Sequence, residues 1–411
     1  MSSKTYHKIE ECRICGCTEL RDIISLGNQH VINFPDSDSS DKGICAPLDL
    51  VICANSSCSL VQLRHTVNPE LMYREYWYRS GVNKTMRDAL SNITSSAQKH
   101  VKLERGDIAV DIGANDGTLL RSYNIEGLLT VGFEPASNLI KFTQEGTYKV
   151  INDFFNAPSF REHFNNSQAK VITSIAMFYD LEDPNKFVSD IKSILEQDGV
   201  WINQMNYLGT MLEYNAFDNI SHEHLEYYSL SSLQYLLHRH NLEVFDVELN
   251  DLNGGSIRAY ITHKGTKKIS SKVAELQETE KHLNSLESYE LFVTRIINIR
   301  DSLVNFVDTE IAKGKSIYVY GASTRGSTLL QYFNLDSKRI IAAAERNPVK
   351  WGKKMIGTNI PIISEEDARN ANPDYFLVLP WAFINEFKLR EKNFLENGGK
   401  FIVPLPDFKL I

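Results

Sequence analysis

Asp107-Ile-Ala-Val-Asp-Ile-Gly113-Ala-Asn-Asp-Gly117 is the stretch from which the fold can be read. Its apolar first half reads as a buried strand, and Ala114-Asn-Asp-Gly117 as the turn that opens a helix at Thr118. The spacing of Asp111, Gly113 and Gly117 is D-x-G-x-x-x-G, not the G-x-G-x-x-G of a dinucleotide site. Glycine at a strand end lets the backbone approach a ligand with no Cβ in the way. The next apolar run, Leu129-Thr-Val-Gly-Phe-Glu134, ends in an acid 21 residues after Gly113. A carboxylate there can accept both ribose hydroxyls of a nucleoside. No Walker lysine follows the turn, which disfavours a triphosphate.

Strand and helix signals go on alternating downstream. Asn152-Asp-Phe-Phe155 follows a third strand, and Val171-Ile-Thr-Ser-Ile-Ala176 is an apolar fourth. Pro184 starts a helix ending near Leu195, and Gly199-Val-Trp-Ile-Asn-Gln204 supplies a fifth strand. Such alternation predicts an α/β fold with a doubly wound sheet. The pattern alone leaves open which nucleoside, if any, the sheet holds.

A chain of 411 residues is too long for one small core, so two or three domains are expected. Apolar content of 42% and charged content of 23% are ordinary for a globular protein. A net charge of −8, with no basic arm or stripe, argues against a nucleic-acid partner. The polar N-terminus and the lack of a long apolar run predict a cytoplasmic protein with no membrane partner.

All six cysteines precede residue 59, unlike a disulfide-stabilised secreted protein. Cys12-Arg-Ile-Cys15 and Cys53-Ala-Asn-Ser-Ser-Cys58 form two knuckles able to gather four thiolates around a structural Zn²⁺. A closed four-sulfur site leaves no position for water, so its expected role is in folding. The aromatic run Tyr73-Arg-Glu-Tyr-Trp-Tyr-Arg-Ser-Gly81 reads either as a packing wedge between domains or as the wall of a ligand site.

Beyond the fifth strand, Phe217-Asp-Asn-Ile-Ser-His-Glu-His-Leu-Glu-Tyr-Tyr228 packs two histidines, three acids and two tyrosines into twelve residues. No other segment is so dense in groups that can move a proton near neutral pH. A locally hydrogen-bonded polar loop is the simpler alternative. From about Ser270 to Lys313 the chain reads as helical and amphipathic, with Tyr289, Phe292, Ile296, Ile299, Leu303, Phe306 and Glu310 on one face. Lys315-Ser-Ile-Tyr-Val-Tyr320 then enters a second Rossmann-like sheet, with strands at Ile340–Ala344, Asp374–Pro380 and Lys400–Val403. Its turn, Gly321-Ala-Ser-Thr-Arg-Gly326, suits an anion at a helix N-terminus, to which Arg325 adds charge. A redox cofactor is the alternative occupant. Glu345 and Trp381 fall at or beyond strand ends, toward the same cleft.

The D-x-G-x-x-x-G turn followed by Glu134 resembles the S-adenosylmethionine-dependent methyltransferases with a doubly wound sheet. Together with the cysteine knuckles, Tyr76-Trp-Tyr-Arg-Ser-Gly81, Phe217-Asp-x-Ile-x-His-Glu-His-Leu-x-Tyr227, Asn253-Gly-Gly-Ser-Ile-Arg258 and Tyr320–Leu330, it is similar over the whole chain to the sugar C-methyltransferases. The resemblance implies three parts: a zinc-binding module over 1–72, a catalytic domain over 73–265, and a linker helix with a substrate-binding domain over 266–411. For the donor, it implies contacts from Asp111, Gly113, Asn115, Asp116, Gly117, Glu134, Pro135, Asp153, Phe154, Tyr78 and Ser80. The implied substrate is a nucleotide-linked 4-keto-deoxysugar methylated through an enolate at C-3. His224 is the implied base with Glu223 beside it, His222 is the rival base or an enolate donor, and Tyr76 and Tyr78 are further catalytic candidates. Ser323 and Arg325 are expected at the diphosphate, with Tyr207, Asn253 and Arg258 as other substrate contacts. Two positions depart from the family: Ser221 stands where many members carry tyrosine, and Asp180 where many carry histidine. Tyr179, Tyr207 or an N-terminal tyrosine is then expected to stabilise the enolate, unless the substrate differs. An O- or N-methyltransferase and a catalytically inert nucleotide-sugar-binding protein are the competing readings.

Overall fold

The structure, a computed structural model, describes residues 5–411 apart from Glu75 and Trp77, and the side chain of Asn253 is likewise outside the described residues. Every residue of Ile108–Ile112 is buried, as its unbroken apolar run requires. It lies inside a seven-stranded sheet ordered Leu242–Asn250, Ser256–His263, Leu195–Asn206, Ala169–Ile175, Ile108–Ile112, Leu129–Phe133, Lys149–Ile151. The last five in that order are parallel. Ser256–His263 runs antiparallel between its two neighbours. The chain winds outward in one direction from Ile108–Ile112 and returns on its other side at Ala169–Ile175. The crevice at that reversal is where an open α/β sheet takes its ligand.

A second seven-stranded sheet occupies the C-terminal part, ordered Lys354–Met355, Ile360–Ser364, Ala343–Glu345, Ile317–Tyr320, Tyr375–Val378, Lys400–Val403, Lys409–Leu410. Its five inner strands are parallel and the two edges antiparallel. The strand Ile360–Ser364 is additional to those expected, its apolar pattern being broken by Pro361. The helical stretch before this sheet is divided. Ser271–Thr279 ends in a 3₁₀ turn over Glu280–Asn284, and Leu286–Ala312 follows as a separate helix. Glu280 explains the break: its buried carboxylate accepts hydrogen bonds from the Leu230 and Ser231 amides, capping the helix Leu230–Arg239. On the long helix Val307 rather than Phe306 completes the buried stripe.

The N-terminal module is an antiparallel sheet of Leu20–His30, Cys45–Cys53 and Val61–Leu63. Its fourth strand, Glu226–Tyr227, comes from the histidine-rich stretch and pairs with Val61 and Gln62. That stretch is rooted by apolar burial as well. Phe217, Ile220, Leu225 and Tyr227 belong to one core with the N-terminal sheet, the long helix and the C-terminal sheet. Phe217 and Ile220 are fully buried, each contributing about 1.5–3 kcal/mol by leaving water. Among the described residues no helix is long and apolar enough to cross a membrane.

Candidate active site

The four knuckle cysteines converge. Their Sγ atoms all lie within 4.8 Å of one another, with Cys12 to Cys58 at 3.8 Å and Cys15 to Cys53 at 3.5 Å. A tetrahedral zinc with Zn–S of about 2.3 Å separates its sulfurs by about 3.8 Å, so the set fits the ion. Cys17 and Cys45 stay outside it: the Cys17 thiol donates to the Glu19 carbonyl, and Cys45 is exposed. Between the ligands, Arg13 donates to Gln62, the Leu63 carbonyl and Thr66, which locks the first knuckle to the sheet.

At the sheet crevice, Gly113 and Gly117 both have positive φ, +71° and +76°. Glu134 is held from two sides, its Oε2 accepting from the Asn115 amide and its Oε1 from the Ala136 amide, each at 2.7 Å. Burial pushes its carboxyl up to about 7, against the pull of those two amides. Asp111 is likewise raised to about 7 by burial, and it accepts from the Thr173 hydroxyl at 2.6 Å.

One cleft of about 730 Å³ runs from this point across the molecule. Asp111, Gly113, Asn115, Glu134, Pro135, Asp153 and Phe154 line one end, with Tyr76, Tyr78 and Ser80 from the aromatic run beside them. That run is therefore a wall of the site as well as packing. Asn115 holds it down, its side chain accepting from the Ser80 amide at 2.9 Å and donating to the Tyr78 carbonyl at 3.0 Å. Asn138 does the same for both main-chain groups of Tyr76. Glu223, His224 and Ser221 line the middle with Tyr73, Tyr179 and Asp180, and Thr324, Arg325 and Phe383 line the far end.

His224 Nδ1 lies 2.7 Å from the Asn219 carbonyl. A carbonyl only accepts, so Nδ1 carries the proton and Nε2 keeps its lone pair. Burial lowers the imidazole to about 4, so the ring is neutral at physiological pH. Its edge-on contact with Tyr179, 4.5 Å between centroids, fixes its orientation. Burial raises the Glu223 carboxyl to about 7, and the Tyr76 hydroxyl bonds to it. Asp180 is driven well above the carboxylate range by burial, then by the nearby charges of Glu223 and Glu226.

Several expected residues sit elsewhere. His222 is not among the residues lining the cleft; it bonds the Ala46 carbonyl of the N-terminal sheet at 3.0 Å, which fastens the loop to that sheet. Asp116 and Gly117 shape the cofactor turn without lining the cleft. The Asp116 carboxylate accepts from the Gly81 amide and from the Thr118 hydroxyl. Ser323 caps the helix Thr324–Tyr332, its hydroxyl accepting from the Gly326 amide, and Thr324 and Arg325 reach the cleft in its place. Arg325 donates to Asp218 at 2.9 Å, and Asp218 also accepts from the Trp381 indole at 3.0 Å, which ties the second sheet to the histidine-rich loop. Glu345 lies at the foot of the second glycine turn, where it accepts from the Ala322 amide. Tyr207 is buried with its phenol toward Glu280, and it lines a small cavity beside Tyr179 and His224 rather than the main cleft. Arg258 is buried in the central sheet, spent on Gln204, Asn92 and Glu248. The side chain of Asn253 lies outside the described residues. Tyr73, Tyr179 and Asp180 are on the wall as well, the last two being positions that the family resemblance raises. Tyr73 at least belongs to the aromatic run, but only the fold places Asp180 opposite Glu223.

Three family profiles match in succession: "Putative zinc binding domain" over residues 12–73, "Methyltransferase domain" over 78–247, and "C-methyltransferase C-terminal domain" over 251–406. The C-methyltransferase NovU of Streptomyces niveus is 32% identical over 409 residues, 98% of this chain and 97% of that one. Two solved structures that match each cover less than half of this chain. The plantazolicin methyltransferase BpumL with S-adenosylhomocysteine matches with TM-score 0.34 and 14% identity, covering 43% of this chain and 84% of that one. A methyltransferase of Clostridium acetobutylicum matches with TM-score 0.33 and 11% identity, covering 45% and 93%. With its full-length relative, its three successive profiles and its four-cysteine zinc site, the chain belongs to the S-adenosylmethionine-dependent C-methyltransferases.

Proposed function

We propose that this C-methyltransferase acts on a nucleotide-linked 4-keto-deoxysugar, methylating the carbon next to the ketone, C-3, through an enolate. The observation that carries the reading is the continuity of one cleft from Glu134, past the His224 imidazole, to the helix N-terminus at Thr324 and Arg325. Bound S-adenosylmethionine would supply an electrophilic methyl group; the substrate carbon has to be made nucleophilic, and that is the task of the chain. A hydrogen beside a ketone is a weak acid, so its removal needs a placed base and a partner for the charge that moves to oxygen. His224 meets the first need, with a neutral ring and an Nε2 lone pair free of the Asn219 bond. Glu134 and Asp111 are placed to take the ribose hydroxyls and the polar end of the donor, while Asn115 holds Tyr78 and Ser80 over it. At the far end the helix N-terminus and Arg325 suit a diphosphate.

Incubation with S-adenosylmethionine and a panel of nucleotide-linked 4-keto-6-deoxysugars tests this directly. Mass spectrometry is expected to show one methyl added, placed on C-3 by NMR of the product. Equal methylation of analogues reduced at C-4 would refute the ketone requirement.

A further inference from the structure

Ser221 brings only a short hydroxyl to the cleft, and the oxygen that becomes negative needs a donor that reaches it. Asp180 lines the same cleft as His224 and Glu223. Its Oδ1 is buried without a hydrogen-bond partner. A buried carboxylate in that state pays for its charge with nothing to compensate it, whereas a neutral acid does not. Its surroundings point the same way. Two acids share this wall, burial raises both carboxyls, and no hydrogen bond among the described residues sets a cation between them. Burial raises the Asp180 carboxyl well above its ordinary range, and the neighbouring Glu223 and Glu226 carboxyls raise it further. Placement also fits: Asp180 follows Tyr179, whose ring touches the His224 imidazole and whose carbonyl accepts from the Leu225 amide at 2.8 Å.

We propose that Asp180, on the cleft wall with an unpartnered buried Oδ1, is the catalytic hydrogen-bond donor to the carbonyl oxygen of the substrate as the enolate forms. The inference rests on the keto-sugar reading above. His224 Nε2 takes the proton from the carbon beside the ketone, and the electron pair of that C–H bond moves into the carbonyl, leaving the negative charge on oxygen. Asp180 keeps its proton and shares it with that oxygen, so no net proton leaves it, and the bond relaxes when the carbonyl is restored. A neutral donor suits the task better than a carboxylate, which would repel the developing charge.

The test is wash-in of deuterium at C-3 from heavy water, followed by NMR on nucleotide-linked 4-keto-6-deoxysugars without the methyl donor. Asp180→Ala is expected to slow wash-in about 10²–10³-fold, the usual cost of one oxyanion donor. Asp180→Asn keeps an N–H donor of nearly the same shape and is expected to stay within about tenfold of the native enzyme. Unchanged affinity of both variants for S-adenosylmethionine by calorimetry would show that they fold. Wash-in by Asp180→Ala at the native rate would overturn the role of Asp180 and leave the keto-sugar reading standing. Equal loss in Asp180→Ala and Asp180→Asn would mean that Asp180 acts as a carboxylate, and would also overturn it. Absence of wash-in by the native enzyme on every ketone would overturn both.

Discussion

Replacing Glu134 by glutamine tests whether the donor end of the cleft works as its geometry suggests. The native carboxylate has both oxygens fixed by backbone amides at 2.7 Å, which leaves outward lone pairs for two ribose hydroxyls. Glutamine presents one oxygen and an NH₂, so one hydroxyl loses a charged acceptor and one amide faces a donor. A hydrogen bond to a charged group is worth about 1.5–3 kcal/mol, so the dissociation constant of S-adenosylmethionine should rise about 10- to 150-fold. The carboxyl titrates at about 7 in the free protein. Only its ionised form accepts from both hydroxyls, so protonation below that value competes with binding, and affinity is highest on the alkaline side. For a single site of that pKa the apparent constant is about tenfold weaker at pH 6 than at pH 8. Isothermal calorimetry at pH 6, 7 and 8 reads both effects. Glu134→Gln should bind weakly and with little pH dependence. A variant that kept the native pH slope would refute the reasoning and transfer the titration to Asp111, which is also raised to about 7.

Three further outcomes are expected. His224→Ala should lose about 10²–10⁴-fold in turnover, the usual contribution of a general base, while still binding S-adenosylmethionine; near-native turnover in a steady-state assay would remove it as the base. Cys58→Ala opens the four-sulfur set and should abolish zinc retention, measured by plasma emission spectroscopy of the purified protein. Because Glu226–Tyr227 is the edge strand of that module, it should also cut turnover. Gly117→Ala places a Cβ about 3.0 Å from the Thr143 carbonyl at φ +76°. Left-handed backbone costs a non-glycine residue about 1–2 kcal/mol, so the urea midpoint should fall by at least that equivalent, and an unchanged midpoint would show that the turn relaxes freely.

The sequence by itself determined what depends on neighbours along the chain. Strand and helix periods, the Gly113–Gly117 turn, the acid at the next strand end and the two cysteine knuckles are local patterns, and each is found where its spacing put it. It also singled out the histidine-rich stretch as the densest run of titratable groups. Tertiary structure alone decided which of those groups face the cleft. His222 and His224 are two residues apart and chemically identical. One bonds the Ala46 carbonyl far back in the chain and the other the Asn219 carbonyl five residues away, and only the second keeps a lone pair toward the cleft. Ser323, Tyr207 and Arg258 were indistinguishable from ligand contacts until packing occupied them with a helix cap, a buried glutamate and a polar core. Asp180 gains its character the same way. A carboxyl has an ordinary pKa in an open chain, and is pushed upward only when a fold takes it out of water beside other acids.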